Sequence, residues 1–184
     1  MTRRVRYFVA SSLDGYIART DGSIGWLFHD ADYGYAAFYS TVDTVVMGRT
    51  TYELSLSFGA HAFPGVKVYV FSRTKAGTHD ERAEFVAGDV GAFIAGLRGQ
   101  PGRDIWLVGG AQLACEFLTA DLIDEYIVSI HPVLLGSGIP LFPVNGREAV
   151  LRFEGARTFA SGLVQLRYQR EGVGGSRPTA GTTS

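Results

Sequence analysis

Thr44-Val45-Val46-Met47-Gly48-Arg49-Thr50-Thr51-Tyr52-Glu53 is the stretch that decides the fold. Its first half is a continuous apolar run, as in a strand buried on both faces, and the residues after Gly48 read as a helix. A helix start has backbone N–H groups without intrahelical partners and carries partial positive charge, so such a junction attracts an anion. Gly48 lets a phosphate approach the backbone, and Arg49 adds a permanent charge with several donors. The same residues also serve as plain structural punctuation, so the rest of the chain must decide between the two readings.

Outward from this junction, short apolar runs recur at Val5 to Ala10, Val66 to Phe71, Ile105 to Val108 and Tyr126 to Ile130. Between them lie residues at helical spacing: Tyr35, Phe38, Tyr39 and Val42; Val90, Phe93, Ile94 and Leu97 behind an Asp89 cap; Leu113, Ala114, Phe117 and Leu118. Alternating strands and helices predict an α/β fold, three αβα layers around a mixed and mostly parallel sheet. The C-terminal part differs. Val164, Leu166 and Tyr168 alternate with polar residues, and Ser161-Gly162 reads as a hairpin turn after Leu151 to Ala160, which predicts antiparallel strands at the end. Gln100-Pro101-Gly102 reads as a loop rather than a linker.

The chain has 184 residues, 17 Lys+Arg, 18 Asp+Glu and a formal charge of −1. This length predicts one domain, over residues 1–170, with a core that needs no disulfide or structural metal. Residues 171–184, rich in Gly, Ser, Thr and Pro, read as a disordered tail. The balanced charge and the lack of a dense basic stretch point away from nucleic acid and toward small molecules. No run approaches a membrane span. The single cysteine, Cys115, reads as a small buried side chain and fits a reducing compartment, the cytoplasm. The histidines, His29, His61, His79 and His131, show no metal spacing. Gly136-Ser137-Gly138 lacks the spacing of a hydrolase nucleophile elbow.

A Rossmann dinucleotide site would place G-x-G-x-x-G after the first strand, where this chain has Ser11-Ser12-Leu13-Asp14-Gly15. Instead, several strand ends each carry residues suited to part of a dinucleotide. Phe71-Ser72-Arg73-Thr74 offers hydroxyls and a guanidinium but no carboxylate for a ribose diol, favouring a 2′-phosphate and hence NADPH, unless it is an ordinary polar turn. Val108-Gly109-Gly110-Ala111-Gln112-Leu113 either turns backbone amides toward a pyrophosphate or makes a tight turn.

With Ala10 to Ala18, Val46 to Glu53, Phe71 to Thr74, Val108 to Ala111 and Ile130 to Phe142 taken together, the chain resembles the dihydrofolate reductase superfamily. The branch it is most similar to contains the C-terminal reductase domain of the bifunctional riboflavin-biosynthesis deaminase/reductase. The motifs keep their order from Val5 to about Arg170. The resemblance implies that Ala10 and Ile17 hold a nicotinamide carboxamide through backbone groups. Gly48, Arg49 and Thr51 would contact the pyrophosphate and adenosine side, Ser72 and Arg73 the 2′-phosphate, and Gly109, Gly110, Ala111, Gln112 and Leu113 the pyrophosphate. Substrate would lie between the first strand's end, the helix near Asp32 to Tyr39 with Tyr35, and the loop Gly136, Ser137, Gly138.

By that resemblance the chain is an NADPH-dependent reductase of a nitrogen heterocycle or its ribosylamino precursor, with 5-amino-6-(5-phosphoribosylamino)uracil as leading substrate. Dihydrofolate or another pteridine, and a dinucleotide-binding dimer without turnover, are the alternatives. The H-x-E and P-C-x-x-C pattern of a zinc deaminase is missing, so a stand-alone reductase is expected. Ser23-Ile24-Gly25-Trp26-Leu27 replaces the Leu-Pro-Trp element of dihydrofolate reductases. The cofactor supplies only a hydride, so a proton source is needed. Asp32 occupies the place of the family's carboxylate, fifteen residues before Met47, but with Asp30 it also reads as a helix cap before Tyr33. Asp14 is the other candidate, or a turn aspartate. Arg19, Arg147 and Arg152 are candidates for a substrate phosphate. The resemblance implies pairing through the sheets, and with the apolar stretch Tyr126 to Leu135 it leads to the expectation of a homodimer.

Overall fold

Eight strands form the central sheet of the protein, whose computed structural model describes residues 2–57, 59, 63–143 and 148–171. In chain order the elements are β1 (Val5–Ser12), β2 (Tyr16–Ala18), α1 (Tyr35–Tyr39), β3 (Val42–Gly48), α2 (Arg49–Leu56), β4 (Lys67–Phe71) and β5 (Glu84–Val86). They continue with α3 (Val90–Arg98), β6 (Asp104–Gly109), α4 (Ala111–Thr119), β7 (Glu125–His131), β8 (Ile139–Pro140), β9 (Leu151–Thr158) and β10 (Val164–Arg170). The sheet order is β5-β4-β3-β6-β1-β7-β10-β9, parallel from β5 to β7 and antiparallel for β10 and β9. A second sheet pairs β2 with β8.

The apolar runs become strands because they are covered on both faces. Tyr7, Val46, Leu107 and Tyr126 pack with Ile94 and Leu97 of α3 and with Leu113 and Phe117 of α4. Val45, Met47, Trp106 and Ile127 face the other way, onto Phe38 of α1 and Tyr52 of α2, with Phe8 against them. The three-layer expectation therefore holds. Asp89 caps α3 by accepting the amide of Ala92 at 2.7 Å. The expected hairpin closes where Phe159 N–H donates to Leu163 O at 3.0 Å and Gly162 N–H to Phe159 O at 2.9 Å.

At the N-terminal edge of the parallel strands, charges are paired. Glu125 is buried and holds Arg6 and, at 2.5 Å, Arg167. Arg3 pairs with Asp43, and Asp124 takes Arg98 at 2.5 Å and Arg170 at 3.4 Å. Buried or half-buried ions survive here because each has an opposite charge and further hydrogen bonds.

Several expectations need correction. The helix expected from Tyr33 begins at Tyr35, because Tyr33 has φ 53° and Val42 already belongs to β3. Cys115, midway along α4, is half-buried rather than in the core. Within the stretch Tyr126 to Leu135, β7 is hydrogen-bonded on both sides, to β1 and β10, and so has no free edge for pairing. Strands β2, β5 and β8, of two or three residues each, carry too little pattern to be read. Residues 172–184 of the expected tail, His61 and Arg147 lie outside the described residues. None of the described helices is long and apolar enough to cross a membrane.

Candidate active site

Strands β3 and β6 are neighbours, yet their helices leave toward opposite faces, α2 with the Tyr52 side and α4 with the Phe117 side. This is a topological switch point, where open α/β sheets bind ligands at the C-terminal edge. Both helices start on glycine, Gly48 and Gly110, and neither N-cap receives a side-chain hydrogen bond. The first-turn amides of both, including those of Arg49, Thr51, Ala111, Gln112 and Leu113, thus open on one crevice without a capping side chain.

The glycines make that space. A Cβ on Gly110 would lie 3.0 Å from Thr51 Oγ1, and one on Gly48 would lie 3.8 Å from Gly110 N. Gly109 has φ +118°, and the Gly109–Gly110 peptide is cis. Two helix starts converging this closely fit a diphosphate, each worth about 0.3–1 kcal/mol to an anion.

Strand β4 runs beside β3, with Phe71 opposite Gly48, so Ser72 and Arg73 emerge next to Gly48 and Arg49. Arg73 is exposed and has no ion pair among the described residues. Arg49 is half-exposed and bound to Glu53 at 3.1 Å, a surface pair that contributes little and is readily exchanged for a phosphate. Ser72 is buried, and its hydroxyl accepts the amide of Lys75 at 3.2 Å. The cation that follows it is the better placed of the two for a phosphate.

At the end of β1, Ala10 lies opposite Ser129, and Ile17 on β2 packs with the α3/α4 side of the core. Asp14, a candidate proton source, is committed elsewhere. Its carboxylate accepts Ser12 Oγ at 2.6 Å, Leu135 N at 3.1 Å and Gly136 N at 2.7 Å. The Ser12 hydrogen bond and then the backbone ones hold it below the usual carboxylate range. It is an anchor that ties the turn after β1 to the 135–136 backbone. Gly138 is likewise consumed in packing, because a Cβ there would overlap the carbonyl oxygen of Ala18. Gly136 and Ser137 are exposed.

Tyr35 stands apart from that loop. It packs edge-on against Phe8 at 6.3 Å and Trp106 at 5.8 Å, on the α1/α2 side, whereas Ile17 and Leu141 of the β2–β8 strip belong to the opposite cluster. Asp32 is exposed and accepts the amide of Ala36 at 3.0 Å, as a capping group would. His131, at the end of β7, is buried with Trp26 and Phe28 edge-on to its ring. Burial lowers its pKa despite hydrogen bonds to the carbonyls of Ser129 and Ser11, which leaves it neutral at pH 7. Of the arginines suggested for a substrate phosphate, Arg152 is paired with Glu154 at 2.9 Å, and Arg19 lies beside Asp21. Among the described residues no three His, Cys, Asp or Glu side chains gather as a metal site.

The sheet and its crevice define a dihydrofolate-reductase-like fold. Dihydrofolate reductase from Enterococcus faecalis, solved with NADP(H), superposes with a TM-score of 0.68 at 14% identity, covering 94% of this chain and all (100%) of that one. Residues 3–165 match the RibD C-terminal domain, and the chain belongs to that family. A Shewanella sp. PV-4 protein assigned to riboflavin biosynthesis is similar in structure, with a TM-score of 0.82 and 30% identity over 93% of this chain and 99% of its own. In sequence the chain is 42% identical over 174 residues to the uncharacterized protein YwjB of Bacillus subtilis (strain 168), covering 92% and 99% of the two.

Proposed function

We propose that residues 1–170 form an NADPH-dependent reductase domain acting on a nitrogen heterocycle or its ribosylamino precursor, in the manner of a 5-amino-6-(5-phosphoribosylamino)uracil reductase. The observation that carries this reading is the pair of uncapped helix starts at Gly48 and Gly110, with Arg73 one strand away. Arg73 and Ser72 would hold the 2′-phosphate, and Arg49, Thr51 and the amides of Ala111 to Leu113 the pyrophosphate. From β4 to β1 the strand ends span three inter-strand spacings, about 14 Å, a span that supports a nicotinamide carboxamide at Ala10 and Ile17. When bound, the cofactor would supply the hydride.

The chain's own contribution is binding, orientation and the proton. Asp14 accepts from Ser12 Oγ and two backbone amides, so we assign the proton path to Asp32, which is exposed and has a single backbone donor. Asp14 instead positions the loop next to the first strand's end. A homodimer remains part of this reading, with exposed Phe153 on the edge strand β9 as the contact in place of β7; a monomeric mass at micromolar concentration would remove it.

The test is NADPH oxidation, followed by absorbance, with 5-amino-6-(5-phosphoribosylamino)uracil and with dihydrofolate. Turnover of the first and not the second is the expected result. Turnover of dihydrofolate alone would replace the substrate, and turnover of neither despite NADPH binding would leave a dinucleotide-binding protein.

A further inference from the structure

One row of residues crosses the sheet on the α1 side: Ala10 on β1, Ser129 on β7, Gln165 on β10 and Arg157 on β9, each opposite the next. Registered residues on neighbouring strands share a face, so the row leads away from the first strand's end toward the sheet edge. Ser129 and Gln165 are buried. Gln165 Nε2 donates to Tyr33 O at 3.1 Å and to Ser129 Oγ at 3.0 Å. A carbonyl oxygen only accepts, so the amide nitrogen must face Tyr33, and Gln165 Oε1 is left as an acceptor. Ser129 accepts from Gln165, which leaves its own O–H to donate. Gln165 Oε1, open rather than enclosed, thus offers an acceptor beside the Ser129 hydroxyl donor, and neither valence has a partner among the described residues.

Arg157 closes the row. Its guanidinium lies 4.7 Å from the Phe159 ring centroid and has no ion pair among the described residues. The carboxylates on the facing segment are occupied, Asp30 by Tyr33 Oη and Asp32 by the Ala36 amide. Above Gly34 the two functions meet: a Cβ there would lie 3.7 Å from Arg157 Nη1 and 4.0 Å from Gln165 Oε1. The indole N–H of Trp26, buried beside His131 on the same side, also lacks an acceptor among the described residues.

We propose that the cross-strand row Ser129–Gln165–Arg157 selects this chain's substrate: Ser129 Oγ–H and Gln165 Oε1 read the C=O and N–H of a ring lactam, and Arg157 binds an anionic group carried on the ring's substituent. The proposal deepens the reductase reading and rests on it for the meaning of the site. A lactam edge offers one acceptor beside one donor, the complement of what the row leaves open. The anion, phosphate or carboxylate, lies toward the sheet edge, about two inter-strand spacings from Ser129.

The test uses the full chain without cofactor and calorimetry with uridine, uridine 5′-monophosphate, cytidine 5′-monophosphate and uridine 5′-carboxylate. Uridine 5′-monophosphate should bind about tenfold more tightly than uridine, as one charge-assisted contact allows. It should also bind more tightly than the cytidine nucleotide, whose ring nitrogen accepts where uracil donates. Arg157→Gln should abolish the first preference and leave the second, while Gln165→Leu should abolish the second and leave the first. Arg152→Gln, which alters the neighbouring arginine on β9, should change neither. The carboxylate arm tells which anion the arginine prefers, and binding tighter than uridine by either anion supports the row. Equal binding of uridine and both anionic forms, or an anion preference that survives Arg157→Gln, overturns it, as does no binding of any probe. NADPH affinity measured on the same samples is independent of these comparisons, so its loss would strike the reductase reading and leave the anion site standing.

Discussion

The two ends of the parallel strands hold charge in opposite ways. At the N-terminal edge, Arg3, Arg6, Arg98, Arg167 and Arg170 all meet carboxylates, with buried Glu125 shared between two of them. At the C-terminal edge, Arg73 and Arg157 meet none among the described residues, and two helices start on glycine without a capping side chain. A saturated edge has nothing left to offer a ligand and serves stability. An unsaturated edge keeps its donors for something that is not part of the chain, at some cost in folding free energy. The proposed cofactor site rests on this contrast more than on any single residue.

The largest effect should follow from breaking the saturated edge. Glu125→Ala leaves Arg6 and Arg167 without their buried counter-charge, which costs about 3–5 kcal/mol and lowers Tm by about 10 °C, while the folded fraction keeps its NADPH affinity. Thermal unfolding and calorimetry on the same sample check both halves, and an unchanged Tm would mean that the network is ornamental. The converse experiment is Gly110→Val, which fills the space between the helix starts beside Thr51. NADPH affinity should fall at least tenfold by the loss of close backbone approach, with a smaller loss of Tm than in Glu125→Ala because the added Cβ meets only the end of the Thr51 side chain.

Smaller effects separate the two aspartates. Asp32→Asn should lower kcat with NADPH affinity unchanged, whereas Asp14→Asn should act on stability. Because the folded-state pKa of Asp14 is depressed, its contribution is present above the ordinary value of about 3.9 and disappears as pH falls below it. The Tm gap between wild type and Asp14→Asn should therefore be open at pH 7 and close toward pH 3; a constant gap would contradict the anchor role. The smallest effect concerns His131, which faces His29, Asp30 and the carbonyls of Ser11 and Ser129. Its lowered pKa means that the unfolded chain binds the extra proton, so stability falls as pH drops below about 6.5. His131→Phe should flatten that part of the Tm profile.

How much of this was legible in the sequence follows the same division. The C-terminal edge announces itself locally, because Gly48-Arg49, Ser72-Arg73 and Gly109-Gly110 each directly follow an apolar run, and the strands are continuous enough to be found. The row Ser129–Gln165–Arg157 does not, since its members are 36 and 8 residues apart along the chain, at positions 129, 165 and 157, and only strand register brings them together. Alternation along Leu151 to Ala160 does not single out Arg157, because a β-bulge opposite Arg167 and Tyr168 breaks the period and sets Arg152 and Arg157 opposite Gln169 and Gln165, on one face. Asp14 was visible as a polar turn residue, but the amides that occupy it come from residues 135 and 136, which no local reading connects to it. Strands of two or three residues fall below any periodicity.

The central claim is that the open edge is a dinucleotide site that reads a 2′-phosphate. Calorimetry of NADPH and NADH with the wild-type chain and with Arg73→Ala tests it most directly. Micromolar NADPH binding tighter than NADH is expected, with a loss of tenfold or more for NADPH alone in the variant. Equal affinity for the two cofactors in the wild type, or an equal loss for both on removing Arg73, would contradict it.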